Sequence, residues 1–156
     1  GNLAGLHRVQ GHPEEAQVLY EQALGIAREV GSRRSEGVVL GNLGNLRWEQ
    51  GRIGDSRGFY EQALTIHRDV GNRHAEGHVL GNLSNLYVDQ QQQEEAWKRY
   101  EQALAIAREV GDRCFEGQVL CCLANLESRY GRMNESRGYH NRALACIRQV
   151  LGRLST

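Results

Sequence analysis

The sequence predicts an all-α protein, an α-solenoid of antiparallel helix pairs, from three observations. A repeat of 40 residues returns the string Tyr-Glu-Gln-Ala-Leu at Tyr20, Tyr60 and Tyr100. Within each unit, apolar residues recur three or four positions apart, which is the spacing of one helical face. No stretch of the sequence shows the two-residue alternation of a half-buried strand. A fixed period in this range is typical of stacked helical hairpins, each of which buries its apolar face against its neighbours.

Residues 33–70 show how one unit is built. The first helix carries an apolar stripe at Leu40, Leu43 and Leu46. The second helix carries a stripe at Tyr60, Ala63, Ile66 and Val70. Both stripes follow the helical period, so each helix is expected to present one apolar face to its partner.

Short turns separate the helices. Gly51 divides the pair, and Gly71 ends the second helix because glycine adopts the left-handed conformation after a helix without steric cost. Side chains suited to N-capping follow in each unit, at Ser32, Asn72 and Asp112. The turn inside the third unit reads Gln90-Gln91-Gln92-Gln93 and lacks glycine. A glutamine in a left-handed turn costs roughly 1 kcal/mol, so this turn is predicted to be the least stable.

The pattern predicts about eight helices in four repeats, forming one domain over residues 1–156. The helices are expected at about 1–10, 13–30, 33–50, 53–70, 73–90, 93–110, 113–130 and 133–151. The repeats are expected at about 1–31, 32–71, 72–111 and 112–151. Because the chain begins without Met and inside a repeat, we expect it to be a fragment of a longer protein.

Composition argues against several classes of partner. Nineteen basic residues balance nineteen acidic ones, which argues against nucleic acid and anionic membrane as partners. No apolar stretch approaches the roughly 20 residues that span a bilayer, and the first residues do not resemble a signal peptide. The four cysteines form neither a CxxC pair nor an even disulfide framework. Reduced thiols and a cytoplasmic location are therefore predicted.

The third unit resembles the tetratricopeptide repeat, whose signature is W-x2-L-G-x2-Y, then A-x3-F, then P. The signature positions are taken here by Leu80, Leu83, Ser84, Tyr87, Ala96 and Tyr100. The units lack the terminal Pro, and their added length is similar to the long repeats of Pins-type cell-polarity scaffolds and of bacterial signalling regulators. This resemblance implies a non-enzymatic scaffold whose first helices line a concave groove for an extended peptide or a partner helix.

Asparagines recur on the first helix of each unit, beside the leucine stripe. They are Asn42, Asn45, Asn82, Asn85 and Asn125. Because an amide both donates and accepts hydrogen bonds, such a row would hold the backbone of a bound peptide. The alternative interpretation is that these amides bond to the neighbouring helix and set the geometry of the repeat. Gly41 and Gly81 lie beside them, where a missing side chain would deepen a groove.

Four further side chains complete the predicted groove. His78 and Gln118 lie one turn before the asparagines, and Asp89 and Arg129 lie one turn after them. The similar polarity scaffolds often carry Arg at the earlier position, where it pairs with acidic ligands, whereas this chain has Val38, His78 and Gln118. The chemistry of the ligand is therefore left open.

No metal, cofactor or catalytic site is predicted. His74 and His78 share a helical face, but metal ligation needs a third ligand, and the segment does not match HExxH. Cys121 and Cys122 point about 100° apart on a helix, and with Cys114 they are interpreted as small buried hydrophobes. The sequence contains no nucleophile elbow, phosphate-binding loop or paired catalytic acids.

Arginine and glutamate recur around the turns between units. The first arginine set is Arg28, Arg68, Arg108 and Arg148, the second is Arg33, Arg73 and Arg113, and the glutamates are Glu36, Glu76 and Glu116. Pairing of Arg33 with Glu36 at a helix end would contribute a few tenths of a kcal/mol. We interpret these residues as maintaining the solenoid.

The predicted function is binding of a protein or peptide segment in the groove. The alternative is a structural element whose ends stack into homo-oligomers or dock on the parent protein. That alternative rests on the apolar residues of the last helix, Leu144, Ile147, Val150, Leu151 and Leu154. Terminal repeats normally need a polar cap, and this helix offers none.

Overall fold

The computed structural model describes residues 13–154, which contain seven helices and no strand. We number them α1 to α7: Pro13–Glu29, Arg33–Glu49, Ile53–Asp69, Arg73–Asp89, Gln93–Glu109, Arg113–Arg129 and Met133–Leu154. The helices confirm the sequence map, with ends within one residue except that α7 runs three residues longer than predicted. The helix expected at 1–10 lies outside the described residues. None of the seven is long and apolar enough to cross a bilayer.

Each of the helices α1 to α6 ends at the same kind of turn, with a positive φ two residues after the last helical residue. Glycine fills five of these turns, at Gly31, Gly51, Gly71, Gly111 and Gly131. The sixth is filled by Gln91, with a φ of 59°. The predicted left-handed glutamine is therefore confirmed.

Two of the three predicted N-caps form their hydrogen bonds. Asp112 Oδ1 accepts from the Phe115 amide at 2.9 Å, and Asn72 Oδ1 accepts from the Ala75 amide at 3.4 Å. Ser32 precedes α2 but caps no backbone amide. Its hydroxyl donates instead to the Ser35 hydroxyl at 2.8 Å, so the capping prediction is wrong there.

The chain divides into two compact units within α4, between Asn82 and Leu83. In the first unit, α2 packs against α1 on one side and α3 on the other. The leucine stripe of α2 is buried as predicted. So are Tyr60, Ala63 and Ile66 of α3, whereas Val70 at the end of that stripe is half-buried.

Gly44 marks the closest approach of α2 to α3. A Cβ atom at Gly44 would lie 2.6 Å from Cδ1 and Cε1 of Tyr60, a distance that forces the ring to move. The Ser56 hydroxyl of α3 donates to the Gly44 carbonyl at 2.8 Å. The glycine therefore lets the buried tyrosine pack against the α2 backbone.

In the second unit, α6 packs against both α5 and α7. Its apolar stripe includes Val119, Leu120 and Leu123, all buried, and Tyr100 and Leu104 of α5 are buried as well. The two units thus repeat one design, in which a first helix is covered by a second helix on either side.

The thiols are only partly the buried hydrophobes that the sequence predicts. All four are free, and Cys146 is buried, but Cys121 and Cys122 are partly exposed and Cys114 is exposed. Cys114 lies in the first turn of α6, where side chains reach solvent. The prediction is therefore wrong for Cys114.

Candidate functional site

Asn45 is the centre of a hydrogen-bond network in the first unit. The Tyr60 hydroxyl donates to Asn45 Oδ1 at 2.5 Å, and Asn82 Nδ2 donates to the same oxygen at 3.0 Å. Both asparagines are half-buried. Two donors on one oxygen fix the orientation of the amide, which aims its Nδ2 donor group away from them. These contacts are of the kind that the geometry-setting interpretation predicts, and they also pre-orient a donor.

The second unit repeats part of this network. The Tyr100 hydroxyl donates to Asn85 Oδ1, and Cys122 takes the position that Asn82 holds forty residues earlier. Burial raises the pKa of Tyr100 well above its ordinary value, and the neighbouring Cys122 adds to that rise. Burial also raises the pKa of the Cys122 thiol, which therefore stays protonated and unreactive.

The other two asparagines differ in their surroundings. Asn42 is half-buried, whereas Asn125 is exposed. Fifteen residues after Asn125, the orienting tyrosine is replaced by His140, which is exposed. Asn125 therefore lacks the hydroxyl that fixes Asn45 and Asn85.

The two histidines of α4 confirm the predicted shared face. The ring centroids of His74 and His78 lie 4.6 Å apart, with the rings tilted by 50°. His78 is half-buried. The two predicted groove residues at the C-terminal ends of first helices, Asp89 of α4 and Arg129 of α6, are exposed.

Gln118 lies at the edge of an apolar cavity of about 510 Å³ in the second unit. The lining residues are Arg113, Cys114, Gly117, Gln118, Cys121, Cys122, Ile147, Val150 and Leu151. Of the predicted groove residues in this unit, Gln118 alone lines it. The cavity places Gln118 beside Cys122, and so beside the end of the Tyr100 network.

Sequence reasoning missed that two tyrosines orient the asparagines of the candidate site. Tyr60 and Tyr100 were interpreted as core residues, yet each also positions an asparagine through its hydroxyl. The sequence did contain a signal, because each tyrosine follows its asparagine by the same fifteen residues. A buried tyrosine usually finds a hydrogen-bond partner, and the constant offset identifies that partner.

A buried carboxylate joins successive repeats. Glu36 is buried, and it accepts hydrogen bonds from Arg28 Nε at 3.0 Å and Arg33 Nη1 at 2.6 Å. The bond from Arg28 is the main reason that the pKa of Glu36 lies below its usual range. The expected pairing of Arg33 with Glu36 is present, but the carboxylate is buried and is also held by Arg28, so arginines from two helices share it.

The same clamp recurs in both later repeats. Glu76 accepts from Arg68 Nε at 2.9 Å and from Arg73, and Glu116 accepts from Arg108 Nε at 2.8 Å and Arg113 Nη1 at 2.5 Å. Burial raises the pKa of Glu116, but the two guanidinium groups outweigh it and leave the pKa lowered. Because each pair of arginines is already bound to a glutamate of the chain, we interpret these residues as holding successive helices together.

The hairpins, turns and clamps together define a helical-repeat scaffold of the α-solenoid class. The sequence model of the tetratricopeptide repeat family matches residues 1–69 and 35–109, which together cover more than half of the chain. The chain belongs to the tetratricopeptide repeat family. Members of this family generally serve as protein-interaction scaffolds, and the fold supports that class here.

Solved structures share the fold at low sequence identity. Aspartyl phosphate phosphatase F from Bacillus subtilis superposes with a TM-score of 0.91 at 14% identity, over 96% of this chain and 39% of that protein. BtubC from P. vanneervenii gives 0.85 at 23% identity, over 96% of this chain and 62% of that protein. A signal transduction ATPase from Pyrococcus horikoshii with a tetratricopeptide repeat sensor superposes with a TM-score of 0.82 at 16% identity, over 98% of this chain and 24% of that protein. The chain thus spans less than two thirds of each protein. No curated protein sequence matches it significantly.

Proposed function

We propose that the chain binds a peptide or helical segment of a partner protein along its first helices, without catalysing a reaction. In the first unit the contacting residues would be Asn42, Asn45, His78 and Asn82. In the second unit they would be Asn85, Asp89, Gln118, Asn125 and Arg129. A cytoplasmic setting is part of the proposal and is supported by the four free thiols.

The fixed amide of Asn45 is the observation that carries this proposal. Its Oδ1 is occupied by the Tyr60 hydroxyl and by Asn82 Nδ2, so its Nδ2 is the group left to meet a ligand carbonyl. A donor held in advance costs less ordering entropy on binding. Gly41 also supports access, since a Cβ atom there would approach Val79 Cγ2 no closer than 3.8 Å. Packing within the unit therefore does not require that glycine.

The test is selection from a random peptide display library with three proteins. These are the parent chain, Asn45→Ala/Asn85→Ala, and Arg57→Ala as a control on α3, whose exposed side chain reaches Glu61 at 3.9 Å. We expect one peptide motif to be enriched by the parent and by Arg57→Ala, and lost with the asparagine variant. Equal enrichment by all three, or enrichment by none, would contradict the proposal. Circular dichroism confirms that each variant is helical.

A second candidate function is end-to-end assembly, which the last helix favours. Leu144 and Ile147 of α7 are 51% and 46% exposed, whereas Leu104 and Ala107, at the same positions of α5, are 1% and 0% exposed. Helix α5 packs against the following first helix of the unit, α6. The end of α7 therefore presents a surface that a further helix would fit.

Arg148 adds a positive charge near that surface. Arg28, Arg68 and Arg108 each bind the glutamate eight residues later, and Arg148 holds the same position on α7, with Thr156 eight residues later. A stacked helix with a glutamate in its first turn would complete the clamp. Sedimentation equilibrium tests this: mass should rise with concentration for the parent but not for Leu144→Glu/Ile147→Glu.

Val18→Glu is the matched control for assembly. Val18 is an exposed apolar residue of α1, and Lys98 holds the same position two repeats later, so a charge is tolerated there. This variant should associate like the parent. A parent chain that stays monomeric at every concentration would rule out the assembly function.

A further inference from the structure

The second unit contains a cleft on its second-helix side, away from the asparagine network, that neither proposed function uses. Its volume is about 550 Å³. Helix α5 contributes Gln93, Glu94 and Trp97, α6 contributes Glu127, α7 contributes Glu135 and Tyr139, and the last turn contributes Arg132. The cleft therefore combines two aromatic rings with three carboxylates.

The aromatic wall is held in place by hydrogen bonds. The Tyr139 hydroxyl donates to Glu101 Oε1 at 3.0 Å, and the Trp97 side chain hydrogen-bonds to Tyr139. The guanidinium carbon of Arg142 lies 5.4 Å from the centroid of the Tyr139 ring, so one face of that ring already carries a cation. Trp97 is 41% exposed, an unusual state for the side chain that offers the best face for a cation.

The charge of the cleft is negative. Glu94 and Glu135 are exposed, while Glu127 is buried and accepts a hydrogen bond from Arg132 Nε. Three carboxylates face one guanidinium among the lining residues, which leaves an excess of two negative charges. A cation that enters the cleft would meet both the indole face and the unmatched carboxylates.

The first unit has a corresponding cleft with the opposite charge at its base. It has a volume of about 390 Å³, and its lining includes Arg47, Arg52, Asp55 and Phe59. These residues stand eighty positions before Glu127, Arg132, Glu135 and Tyr139. The two clefts are therefore the same niche of the repeat, with Arg47 exchanged for Glu127.

In that first niche the cation is supplied from within the chain. Arg47 is buried, and its Nη1 donates to Gln17 Oε1 at 2.8 Å, where Gln17 holds the position of Trp97. Its Nη2 also lies 3.9 Å from Glu21, which holds the position of Glu101. The repeat niche thus accommodates a guanidinium group, and in the second unit the chain supplies a carboxylate at the same place.

We propose that the cleft of the second unit binds an arginine side chain of a partner polypeptide. The guanidinium plane would stack on the Trp97 indole, and its charge would meet Glu94 and Glu135. Arginine is favoured over lysine because its planar, weakly hydrated group stacks on aromatic faces and pairs with carboxylates through two bonds. This contact lies outside the proposed peptide groove and would give the scaffold a second point of attachment.

The test uses the ¹⁵N-labelled full chain and the probe acetyl-Gly-Arg-Gly-amide. The chain has two tryptophans, Trp48 and Trp97, so the indole N–H region holds two signals, and Trp97→Phe assigns them. We expect a saturable shift of the Trp97 signal with no shift of Trp48. The affinity should fall several-fold at high salt, since exposed charges are screened. The same peptide with citrulline, which is neutral and nearly isosteric, should cause no shift.

Two variants separate recognition from folding. Glu94→Gln/Glu135→Gln changes exposed residues and should weaken binding about tenfold, since two charge-assisted contacts are lost. Glu127→Arg installs the residue of the first niche, where the chain already holds Arg47 beside Arg52, and should abolish binding. No saturable shift of Trp97, an equal response to citrulline, or unchanged binding by both variants would overturn the proposal.

Discussion

A single histidine fills a niche that a glycine leaves open in the first unit. His67 is buried on α3, at the position that Ala27 and Ala107 hold in neighbouring repeats. A Cβ atom at Gly37 would lie 2.7 Å from His67 Cε1. Burial, and then the charge of Arg34, hold the pKa of His67 below its ordinary value. The ring is therefore neutral and acts as a space-filling group.

Gly37→Ala should be destabilising by about 1–3 kcal/mol, because the added methyl overpacks a buried ring. In the His67→Ala background the same change should cost clearly less, since the ring is gone and only Ile66 Cγ2, 3.0 Å from the added Cβ, remains close, while alanine favours a helix over glycine by about 0.5–1 kcal/mol. Urea denaturation of the four proteins in this double-mutant cycle measures the coupling. Additive effects in the cycle would show that the contact between Gly37 and His67 is not the cause.

The buried clamp around Glu116 gives a prediction for acid stability. Its folded pKa lies below the ordinary 4.5. Because the folded state holds the proton less tightly than the unfolded state, the stabilisation is present above about pH 4.5 and is lost as the pH falls through the folded pKa. Glu116→Gln should cost about 1–2 kcal/mol at pH 7, allowing for the solvent exposure of both arginines.

That cost should shrink as the pH falls below about 4.5, where the parent loses its charge as well. Urea denaturation of parent and variant at a series of pH values measures it. Glu61→Gln is the control, because Glu61 is exposed and 3.9 Å from Arg57, and it should change stability by less than about 0.5 kcal/mol. A Glu116→Gln cost that stays constant down to pH 3 would contradict the clamp.

For single residues, the sequence predicted which side chains recur better than it predicted which side chains they bond to. The recurrence of Glu36 and its equivalents was visible in the sequence, and the spacing of three residues predicted the pairing with Arg33 but not the second bond, from Arg28. The bond from Arg28 spans eight residues and a turn, so its geometry depends on how two helices meet. The cleft at Trp97 was missed for the same reason, because its residues come from three helices.

Among the elements, the turn between α4 and α5 departs from the glycine rule. Gln91 has a φ of 59°, and the other five turns of this kind in the described chain have glycine at that place. The sequence predicted both the turn and its strain, since the four glutamines stand where neighbouring repeats place Gly51 and Gly131. Helix ends were predictable in general because a glycine with a positive φ follows five of the six helices that end in such a turn.

Gln91→Gly should therefore be stabilising by about 1 kcal/mol, through removal of the Cβ clash of the left-handed conformation. Gln92→Gly is the matched control, because Gln92 has a φ of −91° and should gain nothing from glycine. The exchange Gly51→Gln should have the opposite sign. Thermal denaturation of the three variants decides it, and an equal effect of Gln91→Gly and Gln92→Gly would refute the strain argument.

Over the whole molecule, stability is expected to follow from contacts between neighbouring helices, as in other repeat arrays. The period of forty residues was enough to predict this architecture, because within each unit the same pattern packs a first helix against the second helices on either side of it. The period could not predict what a residue that differs from its equivalents in the other repeats does in the structure. His67 between Ala27 and Ala107 and Cys122 after Asn82 are single exchanges within a regular pattern, whereas the position of Glu127 changes in each repeat, from Arg47 to Tyr87 to Glu127.

Stability should be distributed unevenly between the second helices α5 and α7 of the second unit. Leu104 and Ala107 of α5 are 1% and 0% exposed, whereas Leu144 and Ile147 of α7 are 51% and 46% exposed. Helices with few buried apolar contacts open at lower free energy, so amides of residues 133–149 should exchange roughly tenfold or more faster than those of 93–109. Hydrogen exchange followed by mass spectrometry measures both segments at once. If the chain assembles through α7, this difference should vanish at concentrations where the mass rises and persist in Leu144→Glu/Ile147→Glu. Equal protection of the two segments in the monomer would mean that α7 needs no covering helix.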